Sequence, residues 1–289
     1  MRYVNVTLLA LALCGCQSAQ MKGYDYCYAT AHGLYVGNYG HDPVHVYVNG
    51  TDACLSPDGT RIAYTDMGAA DHVRRIGVFD LEAGKVTLMD TACHNCYGPV
   101  WSPDGTYIAY NAMLGYEWGI KCVDKDNLHP WKVAEDPDGL GGLSSPTWSA
   151  DSRKIAVENS AAVFIYDLDG NVLRSIPFEQ IDRAISSASM FNLTGKEDKL
   201  VFWGTVGADS TPAAAAPAAV FVYDLATSRM NRISPKGYDC WRPVIKGDTI
   251  FCRGRHGNSL KENTYRMDMD GGNFKLAYKD KIDISFAQR

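Results

Sequence analysis

Short apolar runs and tight polar turns alternate along this chain in a phrase that keeps returning. Its fullest form is Pro99-Val100-Trp101, then Ser102-Pro103-Asp104-Gly105-Thr106, then Tyr107-Ile108-Ala109-Tyr110. The apolar runs are β-prone. Between them Pro103 presets φ, Asp104 can bond the backbone ahead of it and Gly105 accepts a positive φ, so the phrase predicts a β-hairpin.

The phrase stands again at Ala53 to Tyr64 around Ser56-Pro57-Asp58-Gly59, and in altered form at Pro146 to Val157 around Ser149-Ala150-Asp151-Ser152. Two worn copies follow, Met190 to Trp203 and Trp241 to Cys252. Aligned turns at 56, 102, 149, 192 and 246 are 46, 47, 43 and 54 residues apart, the period of propeller blades. A second half repeats too: runs ending in Asp80, Asp124, Asp167, Asp224 and Asp268 each lead through a polar turn to a further strand, such as Lys85 to Met89. Four antiparallel strands per period make one blade.

WSPDG followed by IAY, then a strand ending in Asp and a fourth strand, resembles the TolB-type propeller repeat of bacterial envelope proteins, over residues 51 to 280. The resemblance implies an all-β, six-bladed β-propeller of four-stranded antiparallel blades. Its functional implication is broader, since such propellers serve as docking platforms, carbohydrate-active enzymes and accessory domains of peptidases. TolB itself carries an amino-terminal α/β domain, for which this sequence has only a few residues, so a Tol–Pal type partnership is not carried over.

Lys22-Gly23-Tyr24-Asp25 matches Lys236-Gly237-Tyr238-Asp239, and three strands follow, Tyr26 to Thr30, Leu34 to Asn38 and Val44 to Val48, before the next unit begins. These are expected to be the first three strands of a blade lacking its outer one. Ile282 to Phe286, a strand with no blade of its own, is expected to supply that outer strand, so that the C-terminal strand joins the N-terminal blade and closes the ring. Gly207 to Ala219, rich in Ala and Pro, reads as an exposed loop, and Phe178 to Ser189 as a short helix.

Residues 1–15 have the pattern of a signal peptide, with Arg2 and a Val4 to Leu13 apolar run too short to span a bilayer comfortably. Leu13-Cys14-Gly15-Cys16 resembles the lipobox of bacterial lipoproteins. That resemblance implies lipid attachment at Cys16, a tether over 16–22 and a propeller over 23–289; Gln17 in place of Asp implies the outer membrane, facing the periplasm. An ordinary secreted protein is the alternative.

A formal charge of −5 gives no electrostatic support to a nucleic-acid role. Arg74-Arg75 and the Arg253, Arg255 pair read as solvated loop residues. No GxSxG, HExxH or phosphate-binding glycine loop is present, so no catalytic residue, cofactor or metal is expected. The Asp residues that recur once per blade read as turn and strand-end groups. Nine cysteines less Cys14 and Cys16 leave seven. Cys93-His94-Asn95-Cys96 lies in a loop rather than at a helix start, which favours a local disulfide between Cys93 and Cys96 over a redox motif.

In a propeller, first-to-second and third-to-fourth turns share one face, and the remaining loops share the other. Here the second set is the longer and more irregular, which makes it the expected binding face. It is expected to gather His41, His72, His94 and His256 with Tyr97, Tyr116, Trp118, Trp241, Arg253 and Arg255. The leading reading is a monomeric, non-enzymatic envelope lipoprotein that binds a protein or peptide there. The alternative is a glycan-binding or carbohydrate-active propeller similar to oligogalacturonate lyases, which would need three or more of those histidines to converge. An accessory propeller of a serine peptidase is set aside, since these 289 residues hold no catalytic domain.

Overall fold

A computed structural model describes residues 23–47, 49–68, 73–126, 128–181, 189–206, 218–279 and 284–287. They form six four-stranded antiparallel sheets, the six blades of a β-propeller. Blade two is typical: Gly50–Leu55, Arg61–Asp66, Arg75–Asp80 and Lys85–Leu88 pair in sequence order. Blade three follows with Cys96–Trp101, Tyr107–Leu114, Glu117–Asp124 and Pro130–Ala134. First strands touch the first strands of neighbouring blades and therefore surround the axis, while fourth strands such as Lys85–Leu88 are the exposed ones.

The repeated phrase earns its hairpins through one set of bonds. Ser102 Oγ donates to Asp104 Oδ1 at 2.6 Å, the Thr106 N–H donates to the same oxygen at 3.0 Å, and the Tyr107 N–H donates to Ser102 Oγ at 2.9 Å. Ser56 with Asp58 and Ser149 with Asp151 repeat this geometry, and Thr194 with Asp198 performs it in the worn copy. Asp80 and Asp224 likewise accept backbone N–H groups beyond their strands. The recurring carboxylates are thus turn-builders.

Six apolar clusters each bridge two adjacent blades, for example Ala63, Ile76 and Val78 of blade two with Trp101, Ile108 and Tyr110 of blade three. The core is a ring of interfaces, and closing the ring leaves no sheet face uncovered between blades. Around the axis, side chains of one first strand bond the backbone of the next. Leu55 N–H donates to Ser285 Oγ at 3.0 Å, Trp101 N–H to Cys54 Sγ at 3.4 Å, Thr147 Oγ1 to the Phe191 carbonyl at 2.6 Å, and Asn192 Nδ2 to the Pro243 carbonyl at 3.0 Å.

The ring closes as expected through the C-terminal strand, but at the opposite edge of the sheet. Ser285–Phe286 pairs with Tyr26–Thr30, and the sheet order continues through Gly33–Gly37 to Val44–Tyr47. The C-terminal strand is therefore innermost, and the N-terminal unit holds strands two to four rather than one to three. Both registers satisfy the same alternation of apolar and polar positions; only contact with blade two distinguishes them. The chain enters blade one against the Gly59 turn, where Tyr24 N–H donates to the Gly59 carbonyl at 2.8 Å. Gly59 is required there: its φ is +73°, and a Cβ would sit 2.2 Å from the Tyr24 carbonyl oxygen.

Smaller differences concern loops. A helix covers Phe178–Ile181, and 182–188 lie outside the described residues. The Ala/Pro stretch ends sooner than expected, since strand Ala218–Asp224 already includes fully buried Ala219. Signal peptide, lipobox and Cys16 lie outside the described residues, as does His72.

Candidate functional site: the loop face

The first strands of blades two, three, four and six carry a bulge near the end that opens on the long-loop face, and in blade five Met190 stands at the same place just ahead of Asn192–Leu193. There one residue adopts a left-handed backbone: Asp52, Gly98, Ser145, Met190 and Arg242, with φ between 50° and 63°. In three blades a proline follows at once (Pro99, Pro146, Pro243), a residue that cannot donate to a ladder and so fits a bulge. These five residues stand around the axis at the loop-face ends of their blades' first strands.

The second strands meet the bulges with one equivalent residue each, Thr65, Asn111, Glu158, Trp203 and Arg253. Unlike the scaffold positions, these differ from blade to blade. Thr65 Oγ1 accepts the Gly98 N–H at 3.0 Å and donates to Asp52 at 2.7 Å, and Asn111 Nδ2 donates to the Tyr97 carbonyl at 3.2 Å. Glu158 is only 1% exposed and neither of its carboxyl oxygens makes a hydrogen bond. Burial pushes its carboxyl up to about 8, against a weaker opposing pull from the Met190 N–H and the Ser145 hydroxyl.

Two aromatic–arginine clusters stand on this face, on blades three and six, opposite each other across a six-membered ring. In the first, the Tyr97 and Trp118 rings meet perpendicularly with centroids 4.9 Å apart, and Arg74 Cζ lies 4.7 Å from the Tyr97 centroid and 5.4 Å from that of Trp118. Arg74 Nε donates to Asn95 Oδ1 at 2.9 Å. Burial pushes the Tyr97 phenol up, with the Arg74 cation opposing and Asp52 adding to the rise. In the second cluster, Arg253 and Arg255 lie 5.6 and 5.8 Å from the Trp241 centroid; Arg253 pairs with Glu262, and Arg255 with Asp239 at 2.7 Å.

Tyr97, Trp118, Trp241, Arg253 and Arg255 thus gather as two groups. Tyr116 stands fully exposed at the tip of the hairpin joining Tyr107–Leu114 to Glu117–Asp124, a tight connection on a face whose loops are expected to be long. His94 is exposed in the Cys93–Cys96 loop, and the His256 ring lies tilted against Tyr238 with centroids 4.5 Å apart. His41 does not join them. Because blade one begins at its second strand, residues 38–43 lie on the turn face, where Lys246 Nζ donates to Tyr39 Oη at 3.1 Å. Arg74, expected to be solvated, is the residue sequence reasoning missed; nothing in Arg74-Arg75 announces that one side chain will lie over two rings supplied by 97 and 118.

Cys93 and Cys96 are joined as a disulfide. The loop is anchored by Asp90, 1% exposed, which accepts from Tyr110 Oη at 2.7 Å, from Lys121 Nζ and from the Ala92 and Cys93 N–H groups. Among the described residues, Asp90, Cys93 and Cys96 are the one set of three potential metal ligands that lie together. With the sulfurs joined and the carboxylate fully engaged, that set does not fit a cation. A cleft of about 300 Å³ lined by Arg61, Asp80, Trp101, Lys125 and Asp126 contains none of the candidate residues.

These features define a six-bladed β-propeller with an aromatic and arginine-bearing loop face. The same fold occurs in TolB from Acinetobacter baumannii, with TM-score 0.65 and 17% identity over 91% of this chain and 66% of that one. A putative TolB from Agrobacterium tumefaciens matches with TM-score 0.60 and 14% identity, covering 89% of this chain and 90% of that one. An oligogalacturonate lyase in complex with manganese matches with TM-score 0.53 and 14% identity, covering 77% and 63%. The resemblance to TolB-type propellers is therefore one of fold. No family model and no curated protein sequence matches the chain.

Proposed function

We propose that this protein is a non-enzymatic docking propeller of the cell envelope, held to the membrane through lipidated Cys16, which binds a protein or peptide segment on its loop face. The observation that carries the reading is the pair of aromatic–arginine clusters, Tyr97/Trp118/Arg74 and Trp241/Arg253/Arg255. Trp, Tyr and Arg are the residues that dominate binding energy at protein interfaces. They differ from the repeated scaffold residues of their blades, as a recognition surface on a repeated frame requires. TolB-type neighbours, whose namesake is an envelope protein, support the fold and compartment parts of the proposal.

The carbohydrate-active alternative called for converging histidines. His41 lies on the turn face, His94 and His256 sit on blades three and six, and His72 lies outside the described residues, so no observation here favours that reading over docking.

The test is proximity crosslinking of the anchored protein in its own cells, followed by mass spectrometry, with Trp118→Ala/Trp241→Ala as the comparison. An envelope protein captured by the wild type and lost from the double variant is the expected outcome. Recovery of the same neighbours by both forms refutes docking through this face.

A further inference from the structure

Arg74 differs from the two arginines of the second cluster in one chemical respect. Arg253 and Arg255 each spend their charge on a carboxylate of their own blade, Glu262 and Asp239. Arg74 is held by a neutral amide, Asn95 Oδ1, and pairs with no carboxylate among the described residues. Asp52, whose charge reaches Tyr97, is engaged by the Thr65 hydroxyl. Its Cζ lies over both the Tyr97 and Trp118 rings, and the bond from Nε to Asn95 leaves the terminal NH₂ groups without a carboxylate among the described residues.

The loop that holds Arg74 is braced for the purpose. The Cys96 N–H donates to the Arg74 carbonyl at 3.0 Å, and the Asn95 carbonyl accepts the Met113 N–H at 3.0 Å. The Cys93–Cys96 disulfide closes this turn, and buried Asp90 pins its start. Backbone and side chain of Arg74 are therefore both set by a crosslinked turn, which is preorganisation of a kind that raises affinity by reducing the ordering cost.

We propose that Arg74, held against Tyr97 and Trp118 by the Cys93–Cys96 turn, is a carboxylate-recognition subsite for an acidic peptide segment. The fork geometry of a guanidinium suits a carboxylate bidentately. A peptide rather than an acidic glycan follows from the rings: Tyr97 and Trp118 meet edge to face with the Arg74 cation within 5.4 Å of both centroids, so the cluster leads with charge instead of an open flat platform on which a sugar could stack. The proposal rests on the docking reading and names the chemistry of its partner.

The probe is a fluorescein-labelled oligoglutamate peptide, followed by anisotropy at physiological ionic strength, with an oligoglutamine peptide as the neutral counterpart. Wild-type protein is expected to bind the former and not the latter. Arg74→Gln should weaken binding by about tenfold or more, and Arg74→Lys should recover part of the loss because charge returns without the fork. Equal affinity in the wild type and Arg74→Gln, or no binding to the wild type, overturns the subsite. Unchanged affinity in Cys93→Ser/Cys96→Ser overturns the role given to the disulfide. Displacement by oligogalacturonate at lower concentration than by unlabelled peptide overturns the peptide assignment. In the crosslinking experiment, a partner lost from the Trp118→Ala/Trp241→Ala form but kept by Arg74→Gln sinks the subsite alone; a partner lost from neither sinks docking itself.

Discussion

Replacing Glu158 with Gln should stabilise this protein at neutral and alkaline pH and leave it unchanged in acid. Glu158 closes the second strand of blade four, is 1% exposed, and has two carboxyl oxygens without a hydrogen bond. Burial raises its carboxyl from 4.5 to about 8, so the folded chain keeps a proton that the unfolded chain has already lost. For an acid raised in this direction, the stability is fully present below the unfolded value, near 4.5, and is lost as pH rises through the folded one, near 8. Each unit in that window costs about 1.4 kcal/mol, so at about pH 7 the wild type carries a deficit on the order of 3 kcal/mol. Glutamine has the same shape and no charge to lose. At about 2–4 °C per kcal/mol for a domain of this size, Glu158→Gln should melt several degrees above wild type at about pH 7 and together with it at about pH 4.5. Thermal unfolding followed by circular dichroism across that range is the assay. A difference independent of pH, or a less stable Gln variant at about pH 8, would refute the claim that this carboxyl is buried without a counter-charge among the described residues.

Two further perturbations probe the scaffold. Partial burial works against the Asp104 charge, yet bonds from Ser102, Thr106 and Ser152 hold its carboxyl below the usual range. Asp104→Ala should therefore cost about 1–2 kcal/mol in urea unfolding near neutral pH, with the difference shrinking below about pH 4 as the wild type loses its charge. Asp90→Asn leaves Lys121 beside a neutral amide in a nearly closed site and should cost about 2–4 kcal/mol. Burial opposes the Asp90 charge but Lys121 and Tyr110 outweigh it, so this stability too is present above the unfolded carboxylate range and fades as pH falls through it. A cost that stayed constant in acid would refute the ion-pair account.

Much of the scaffold was legible in the residues themselves. Ser102-Pro103-Asp104-Gly105 names its own turn, because the bonds that build it join residues within five positions of one another. Repetition of that turn at a period of 43 to 54 residues identified the blades. The recurring Asp residues were correctly assigned to turns for the same reason. Local chemistry, repeated, is what a sequence displays openly.

The placement of the site depended on contacts that local chemistry does not contain. Whether Tyr26–Thr30 is a first or a second strand alters nothing in its own alternation. Only its docking against Gly59 and Ser285–Phe286 decides, and that decision carried His41 to the far face. Arg74 looked like one half of a solvated basic pair until Tyr97 and Trp118, from the next blade, came to lie beneath it. Nothing in the sequence around Glu158 announces that ring closure will bury its carboxyl with no cation beside it among the described residues. The sequence by itself determined the repeating unit, because each hairpin is stabilised within its own few residues. Tertiary structure alone decided which units face each other and which side chains are desolvated, because burial and charge pairing belong to the closed ring rather than to any blade.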